Sequence, residues 1–346
     1  MHGIILNMSE AGTKVIKNYR IKTVQGELPV HVLDPDEFGG EYDRRNICYV
    51  GGIWVTSMLA MGTNLAQALY RKASNGGGSF NKILWDMGRD RNHISSFAFD
   101  RLSKFNRQAK YGAAGWRSLE LFYNYHEKIK PQLKENFEGW ITRHWIGKFE
   151  NRQAVTNRFK VVIDLLVAAF SEFPAEKEIR LLSIASGAAQ EVIEAMKRCP
   201  HLNIKVLLLD ADASAINEAK KLVREAGFDA RFSYIHDTIK VIENAARVFQ
   251  PHIIEMVGFL DYRPHKQAIA LIDRIKIQLP EGGIFITCNI RKNREKIFLD
   301  WVLIWPMIYR SEEEFADILV CGGFPSENIR LVYEPFKIHG IAVCRK

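Results

Sequence analysis

At 346 residues the chain has room for one large domain or two of ordinary size, and its 47% hydrophobic and 25% charged content excludes a disordered or low-complexity protein. The net charge of +8 permits an anionic partner, yet Lys and Arg are interleaved with Asp and Glu throughout, so a solvated face accounts for the excess and nucleic acid is not the expected partner. Five scattered cysteines, never in Cys-x-x-Cys spacing, read as reduced residues of a cytoplasmic protein with no metal framework.

The opening Met1-His-Gly-Ile-Ile-Leu-Asn-Met has neither the basic lead nor the apolar length of a secretory leader. Alternation over residues 18–33, around Gln25-Gly26, predicts a small hairpin closed by Asp34-Pro35-Asp36. Residues 49–70 carry no charge and are long enough, at ~20 residues, to span a bilayer. Thr56, Ser57, Thr63, Asn64 and Gln67, with Gly51, Gly52 and Gly62, lower their apolarity. A buried helix or a cavity lining is therefore the reading, and membrane contact is not expected.

The run Asn75-Gly76-Gly77-Gly78-Ser79 lacks the Gly-Lys-Ser/Thr of a phosphate loop and reads as a hinge. Residues 80–148 read as helical, with Phe97, Phe99, Phe105, Tyr111 and Trp116 lying among basic residues. Aromatics at helical spacing are core, although a surface for single-stranded nucleic acid shows the same mixture. Residues 1–150 are thus assigned to an accessory domain, a small hairpin followed by helices, covering a pocket in the remainder.

From residue 151 onward strands alternate with helices. An amphipathic helix at 161–170 leads to strands at 179–185, 204–210, 230–235, 252–257 and 283–289, with helices at 190–198, 213–226, 238–249 and 266–279 between them. That alternation predicts a doubly wound α/β fold with a mostly parallel sheet. An aromatic helix is expected at 295–309, then one opened by Ser311-Glu-Glu-Glu in the manner of a capping box. Segments 329–334 and 337–344, joined at Pro335-Phe336, make a last strand pair.

Two stretches carry the chemistry. Arg180-Leu-Leu-Ser-Ile-Ala-Ser-Gly-Ala-Ala-Gln-Glu191 is a strand, a bend of small residues and an acid-tipped helix start. In an open α/β sheet a ligand sits beyond the carboxyl end of such a strand, where Ser186, Gly187, Ala188 and Ala189 leave room for it. Lys205-Val-Leu-Leu-Leu-Asp210 ends in a carboxylate placed to take both hydroxyls of a ribose, while Asp212 suits the N-cap of the next helix. Of the Gly-x-Gly-x-x-Gly signature that presses amides against a pyrophosphate only Gly187 is present, which argues against a diphosphate ligand.

Phe232-Ser-Tyr-Ile-His236-Asp237 and His252-Ile-Ile-Glu-Met-Val-Gly258-Phe-Leu-Asp261-Tyr262 follow in order. With them, residues 151–346 resemble the class I S-adenosylmethionine (SAM) dependent methyltransferases. The resemblance implies a Rossmann-like, seven-stranded sheet whose last two strands form an antiparallel edge hairpin, and SAM as cofactor. It implies that Ala185, Ser186 and Gly187 contact the methionine part, Glu191 orders the bend, and Asp210 holds the ribose. Asp237, beside His236, would meet the adenine, and Val257 and Gly258 would lie beside the transferable methyl. Asn151, Gln153, Asn157 and Arg158, on the helix before the first strand, are candidates for the charged groups of the cofactor. Asn151, Asn157 and Arg158 are taken, with Tyr309, as the substrate-side set.

A methyl group on a sulfonium is already activated, so holding and aiming it supply much of the acceleration, on the order of 7–11 kcal/mol. Where the acceptor is a hydroxyl or a protonated amine, Asp261, Tyr262 or a histidine from the cover would take its proton. His93, His126, His144 and His339 read as surface or structural histidines. The Asn/Asp-Pro-Pro-aromatic signature for amino groups of bases and glutamine amides is absent, and the apolar cover favours a small organic acceptor. The reading is a small-molecule methyltransferase. Cyclisation of SAM, transfer of its aminocarboxypropyl arm, and an RNA-binding protein stand as alternatives.

Overall fold

The computed structural model describes residues 14–38, 47–74, 83, 86, 99–174 and 176–346. The expected hinge at 75–79, Phe97 and His93 lie outside the described residues. The strands are β1 (Val15–Thr23), β2 (Gly26–Leu33), β3 (Ile179–Ile184), β4 (Ile204–Asp210), β5 (Phe232–His236), β6 (Ile253–Met256), β7 (Ile284–Ile290), β8 (Ile329–Tyr333) and β9 (His339–Arg345). The longer helices are α1 (Ile47–Ser74), α2 (Lys104–Tyr111), α3 (Trp116–Tyr123), α4 (Phe137–Thr142), α5 (Glu150–Ser171), α6 (Gln190–Arg198), α7 (Ala213–Glu225), α8 (Ile242–Phe249), α9 (His265–Gln278), α10 (Lys296–Trp301) and α11 (Glu312–Cys321).

Two compact units share the chain: Met1–Gly39 with Asn157–Arg291 and Ile308–Lys346, and Gly40–Thr156 with Lys292–Met307. The expected single cut at residue 150 is replaced by divisions after residue 39, within α5, and around the excursion at 292–307.

The first unit is built on a nine-stranded sheet of order β1-β2-β8-β9-β7-β6-β3-β4-β5. Strands β3 to β7 are parallel to one another, and β9 runs antiparallel to both β7 and β8. The inner strands are apolar on both faces because both are covered. Leu181, Val206, Leu208, Ile253 and Ile286 join one core with residues of α5, α6 and α7. Leu182, Leu207, Ile254, Met256 and Phe285 join the other with α8, α9 and α11.

The sheet corrects the expected seven strands to nine. The N-terminal hairpin, assigned to the accessory domain, instead adds β2 in parallel to β8, with β1 outside it. The last strand pair is therefore not an edge. Without the hairpin β8 would present a row of unpaired backbone groups, a liability that an added strand removes. Alternation announced the buried face of Leu28, Val30 and Val32, but a period of two does not say which strand lies alongside.

In the second unit α1 packs along α10 and buries Ile53, Ser57, Ala60, Asn64 and Ala68. The Asn64 side-chain amide donates to the Trp301 carbonyl at 2.5 Å. Edge and stacked contacts join Phe99, Trp145, Phe149 and Phe298. The expected helix at 295–309 is shortened to α10. The chain leaves the helix after Trp301 and takes a left-handed turn at Ile304, φ 51°, and Pro306, which lacks an N–H and restricts the residue before it, keeps the helix from resuming. Among the described residues no helix is long and apolar enough to cross a membrane.

Candidate functional site

The carboxyl ends of β3, β4, β5 and β6 lie along one edge of the sheet, where an open α/β fold takes its ligands. After β3 the backbone turns through three left-handed residues: Ala185 at φ 53°, Gly187 at φ 53° and Ala189 at φ 54°. Left-handed geometry is free for glycine but costs an alanine about 1–2 kcal/mol. Two alanines in one bend thus hold a backbone path that costs stability. This is also why the bend looks poor in glycine, since alanine carries the same backbone path.

The bend is tied to β4. The Ser186 amide donates to the Leu209 carbonyl at 3.3 Å, and the Gly187 amide donates to the Asp210 carboxylate at 2.7 Å. The other Asp210 oxygen accepts from the Asp212 amide at 2.8 Å. Asp212 caps α7, accepting from the Ser214 amide, as its position in the sequence indicated. Burial pushes the Asp210 carboxyl up, and the amides of Asp212 and Gly187 oppose it. The Ser186 hydroxyl oxygen is buried with no hydrogen-bond partner. The Asp237 amide donates to the Asp210 carbonyl at 3.1 Å, joining β5 to the group, and its exposed side chain accepts from the Thr238 amide at 2.6 Å.

Beyond β6 the chain passes Gly258 at φ 80°, whose amide lies 3.1 Å from the Cys288 sulfur. A Cβ at Gly258 would come within 3.7 Å of the Arg158 guanidinium. Arg158 is buried on α5, and its charge bears on Glu255, Asp261, Cys288 and His339. Glu255 accepts from the Ser183 hydroxyl at 2.5 Å and from the Val257 amide. Burial, reinforced by the charge of Glu191, pushes Glu255 up to about 7.

Neither a family model nor a curated sequence matches the chain. Among solved structures, a possible exported protein from Bordetella parapertussis is similar over 79% of this chain and 98% of its own, at 14% identity and a TM-score of 0.56. A magnesium protoporphyrin IX methyltransferase from Synechocystis PCC 6803, with bound SAH, is similar over 57% of this chain and 87% of its own, at 14% identity and a TM-score of 0.44. An O-methyltransferase family protein from Burkholderia thailandensis is similar over 57% of this chain and 60% of its own, at 12% identity and a TM-score of 0.42. In this chain the parallel strands run β5-β4-β3-β6-β7, followed by the reversed β9 and then β8. The arrangement agrees with the class I methyltransferase fold expected from the sequence.

In this fold Ala185, Ser186, Gly187, Asp210 and Asp237 meet at the ends of β3, β4 and β5. Glu191 opens α6, and Val257 and Gly258 follow β6. Asp261 and Tyr262 sit in a short 3-10 turn after them. Asp261 is buried, its carboxylate accepts from the Ile290 amide at 2.7 Å, and burial pushes it up to about 6 against the charges of Arg158 and Arg310.

Two expected substrate contacts are otherwise engaged. Asn157 donates its side chain to buried Glu334. Asn151 belongs to the second unit, where its side-chain amide donates to Asn293 at 3.0 Å and to Glu295 at 3.1 Å. Tyr309 lies half-buried between β7 and α11.

Sequence reading missed Glu255, Arg310 and Glu334. Arg310 donates to the carbonyls of Leu260 at 3.0 Å and Arg263 at 2.5 Å, clamping the turn that carries Asp261. Glu255 had a visible signal, a lone carboxylate inside the apolar run of β6.

Proposed function

We propose that the protein is a SAM-dependent methyltransferase whose acceptor is a small organic molecule. The observation that carries this reading is the 2.7 Å bond between the Gly187 amide and the Asp210 carboxylate, which brings the small-residue bend and the expected ribose acid to one place. The residues present fit the cofactor. The amides of Gly187, Asp212 and Ala211 leave the Asp210 carboxylate acceptor capacity for a further donor, the Ser186 hydroxyl has a donor to give, and no side chain larger than serine stands in the bend from Ala185 to Ala189.

In this reading Asp210 holds the ribose and Asp237 lies toward the base, while Ser186 and Gly187 take the methionine part. When bound, SAM supplies an activated methyl group. Gly258 leaves open backbone beside it, and Arg158 supplies a fixed positive charge. Asp261, held near 6 by its burial, is mostly ionised at neutral pH and is our candidate to accept the acceptor's proton, with Tyr262 as the neighbouring alternative.

Calorimetry with SAM and S-adenosylhomocysteine tests the assignment. Wild type should bind both, and Asp210→Ala should bind at least roughly tenfold more weakly, about 1.4 kcal/mol. Equal affinity in a folded Asp210→Ala protein would remove the ribose role. Product analysis then separates methyl transfer, which yields S-adenosylhomocysteine, from cyclisation, which yields methylthioadenosine.

A further inference from the structure

Strand β6 carries one carboxylate in an otherwise apolar run, and the sheet register says where it points. Glu255 lies opposite Ser183 of β3. Two residues earlier, Leu181 and Ile253 join the core formed with α5, α6 and α7, so at a period of two Ser183 and Glu255 face those same helices. The carboxyl is 6% exposed. It stands just before Val257 and Gly258, and its partner Ser183 stands just before the bend that begins at Ala185. In that bend the Ser186 hydroxyl is buried with no hydrogen-bond partner, which marks the bend as a place where a ligand is met.

Each element packed on Glu255 contributes to its electrostatics. Glu191 of α6 disfavours its ionised form and Arg158 of α5 favours it, while the Ser183 hydroxyl, at 2.5 Å, and the Val257 amide donate to it. Cys288 of β7 is pushed up to about 12, chiefly by burial, and stays a neutral thiol. His339 of β9 is held neutral by burial and by the Arg158 charge. Asp261 feels both Arg158 and Arg310. The acids Glu191, Glu255 and Asp261 thus meet only the two cations Arg158 and Arg310. With every acid ionised, this group is one positive charge short.

The methyltransferase reading, on which this inference rests, supplies a ligand that differs in charge before and after reaction. SAM carries a sulfonium, and S-adenosylhomocysteine carries a neutral thioether. We propose that Glu255 is the residue by which the site prefers SAM to its product: it ionises when the sulfonium is bound and acts as the counter-charge, whereas the uncharged product leaves it protonated. Glu255 acts through space, as a specificity residue.

Raised to about 7, Glu255 is close to half-protonated at neutral pH and has a proton to give. An opposite charge a few ångströms away lowers a carboxyl by at least about one pH unit. Such a shift releases roughly 0.4 of a proton at pH 7, makes SAM bind about fourfold more tightly at pH 7 than at pH 5.5, and gives the ionised carboxylate about a tenfold preference for the sulfonium.

Calorimetry of SAM and S-adenosylhomocysteine in two buffers of different ionisation enthalpy counts the protons. On binding SAM at pH 7, wild type should release roughly 0.4 of a proton more than Glu255→Gln, because the ligand's own ammonium contributes equally in both proteins. With S-adenosylhomocysteine the two proteins should not differ. At pH 8 Glu255→Gln should bind SAM about tenfold more weakly than wild type and S-adenosylhomocysteine within about twofold, with unchanged circular dichroism. Wild type alone gives a second measure: the ratio of its SAM affinity to its S-adenosylhomocysteine affinity should rise about fourfold from pH 5.5 to pH 7. A flat ratio, equal proton counts in the two proteins, or a variant that weakens both ligands alike overturns the proposal and leaves the cofactor assignment standing. A wild type that binds neither ligand overturns both.

Discussion

Replacing Glu255 by glutamine should make the protein relatively more stable at alkaline pH than at acid pH. The carboxyl is buried and raised to about 7 from an ordinary 4.5, chiefly by burial and then by the charge of Glu191, while the Ser183 hydroxyl and the Val257 amide partly oppose the shift. The folded value lies above the unfolded one. Folding therefore binds a proton between about pH 4.5 and 7, and the stability linked to it is full below that window and lost as pH rises through it. Each pH unit of separation corresponds to about 1.4 kcal/mol, so Glu255 alone contributes a fall of about 3 kcal/mol. Glutamine has the shape of the protonated acid and cannot ionise. Urea unfolding of wild type and Glu255→Gln at pH 4.5 and pH 8 would give the difference. The variant's stability relative to wild type should rise by about 3 kcal/mol between the two conditions. A difference that stays flat, or moves in the opposite sense, would refute the argument that burial dominates this carboxyl.

Other consequences follow from the same packing. Arg158→Met should destabilise the protein by about 3 kcal/mol at pH 8 and by less at pH 5, because the charges it offsets, on Glu255 and Asp261, are lost as those groups protonate; chemical denaturation at both values checks it. Gly258→Ala should cost about 1–2 kcal/mol by urea unfolding, since φ is 80° there, and an unchanged midpoint would contradict the strain. Glu295→Ala should lower the melting temperature through a loss of about 2–4 kcal/mol, because the amides of Glu150 and Asn151 both end on its buried carboxylate, at 2.9 and 2.8 Å.

Much of the sheet was legible because its signal is local. Strand β4 and helix α6 have the expected limits, and the other strands of the parallel set differ by a residue or two. Apolar runs bounded by turns determine that much. Partnership is not local, and so the hairpin at 15–33 was recognised while its place beside β8 was not. The site divides in the same way. Asp210 and the bend were legible as candidates because each ends an apolar strand, but the engagement of Asn157 with Glu334 depends on a segment distant in sequence. Glu255, by contrast, was readable and overlooked. A carboxylate inside a buried strand is costly unless paired, and the sequence places one there.

The parallel contact between Val30 and Leu331 ties the order of synthesis to the order of assembly. During translation β1 and β2 leave the ribosome well before β8, and they wait for it before their inner edge finds a neighbour. Until then an apolar ribbon is open to any other extended chain, so early release of a truncated product should leave a species that aggregates rather than a smaller folded protein.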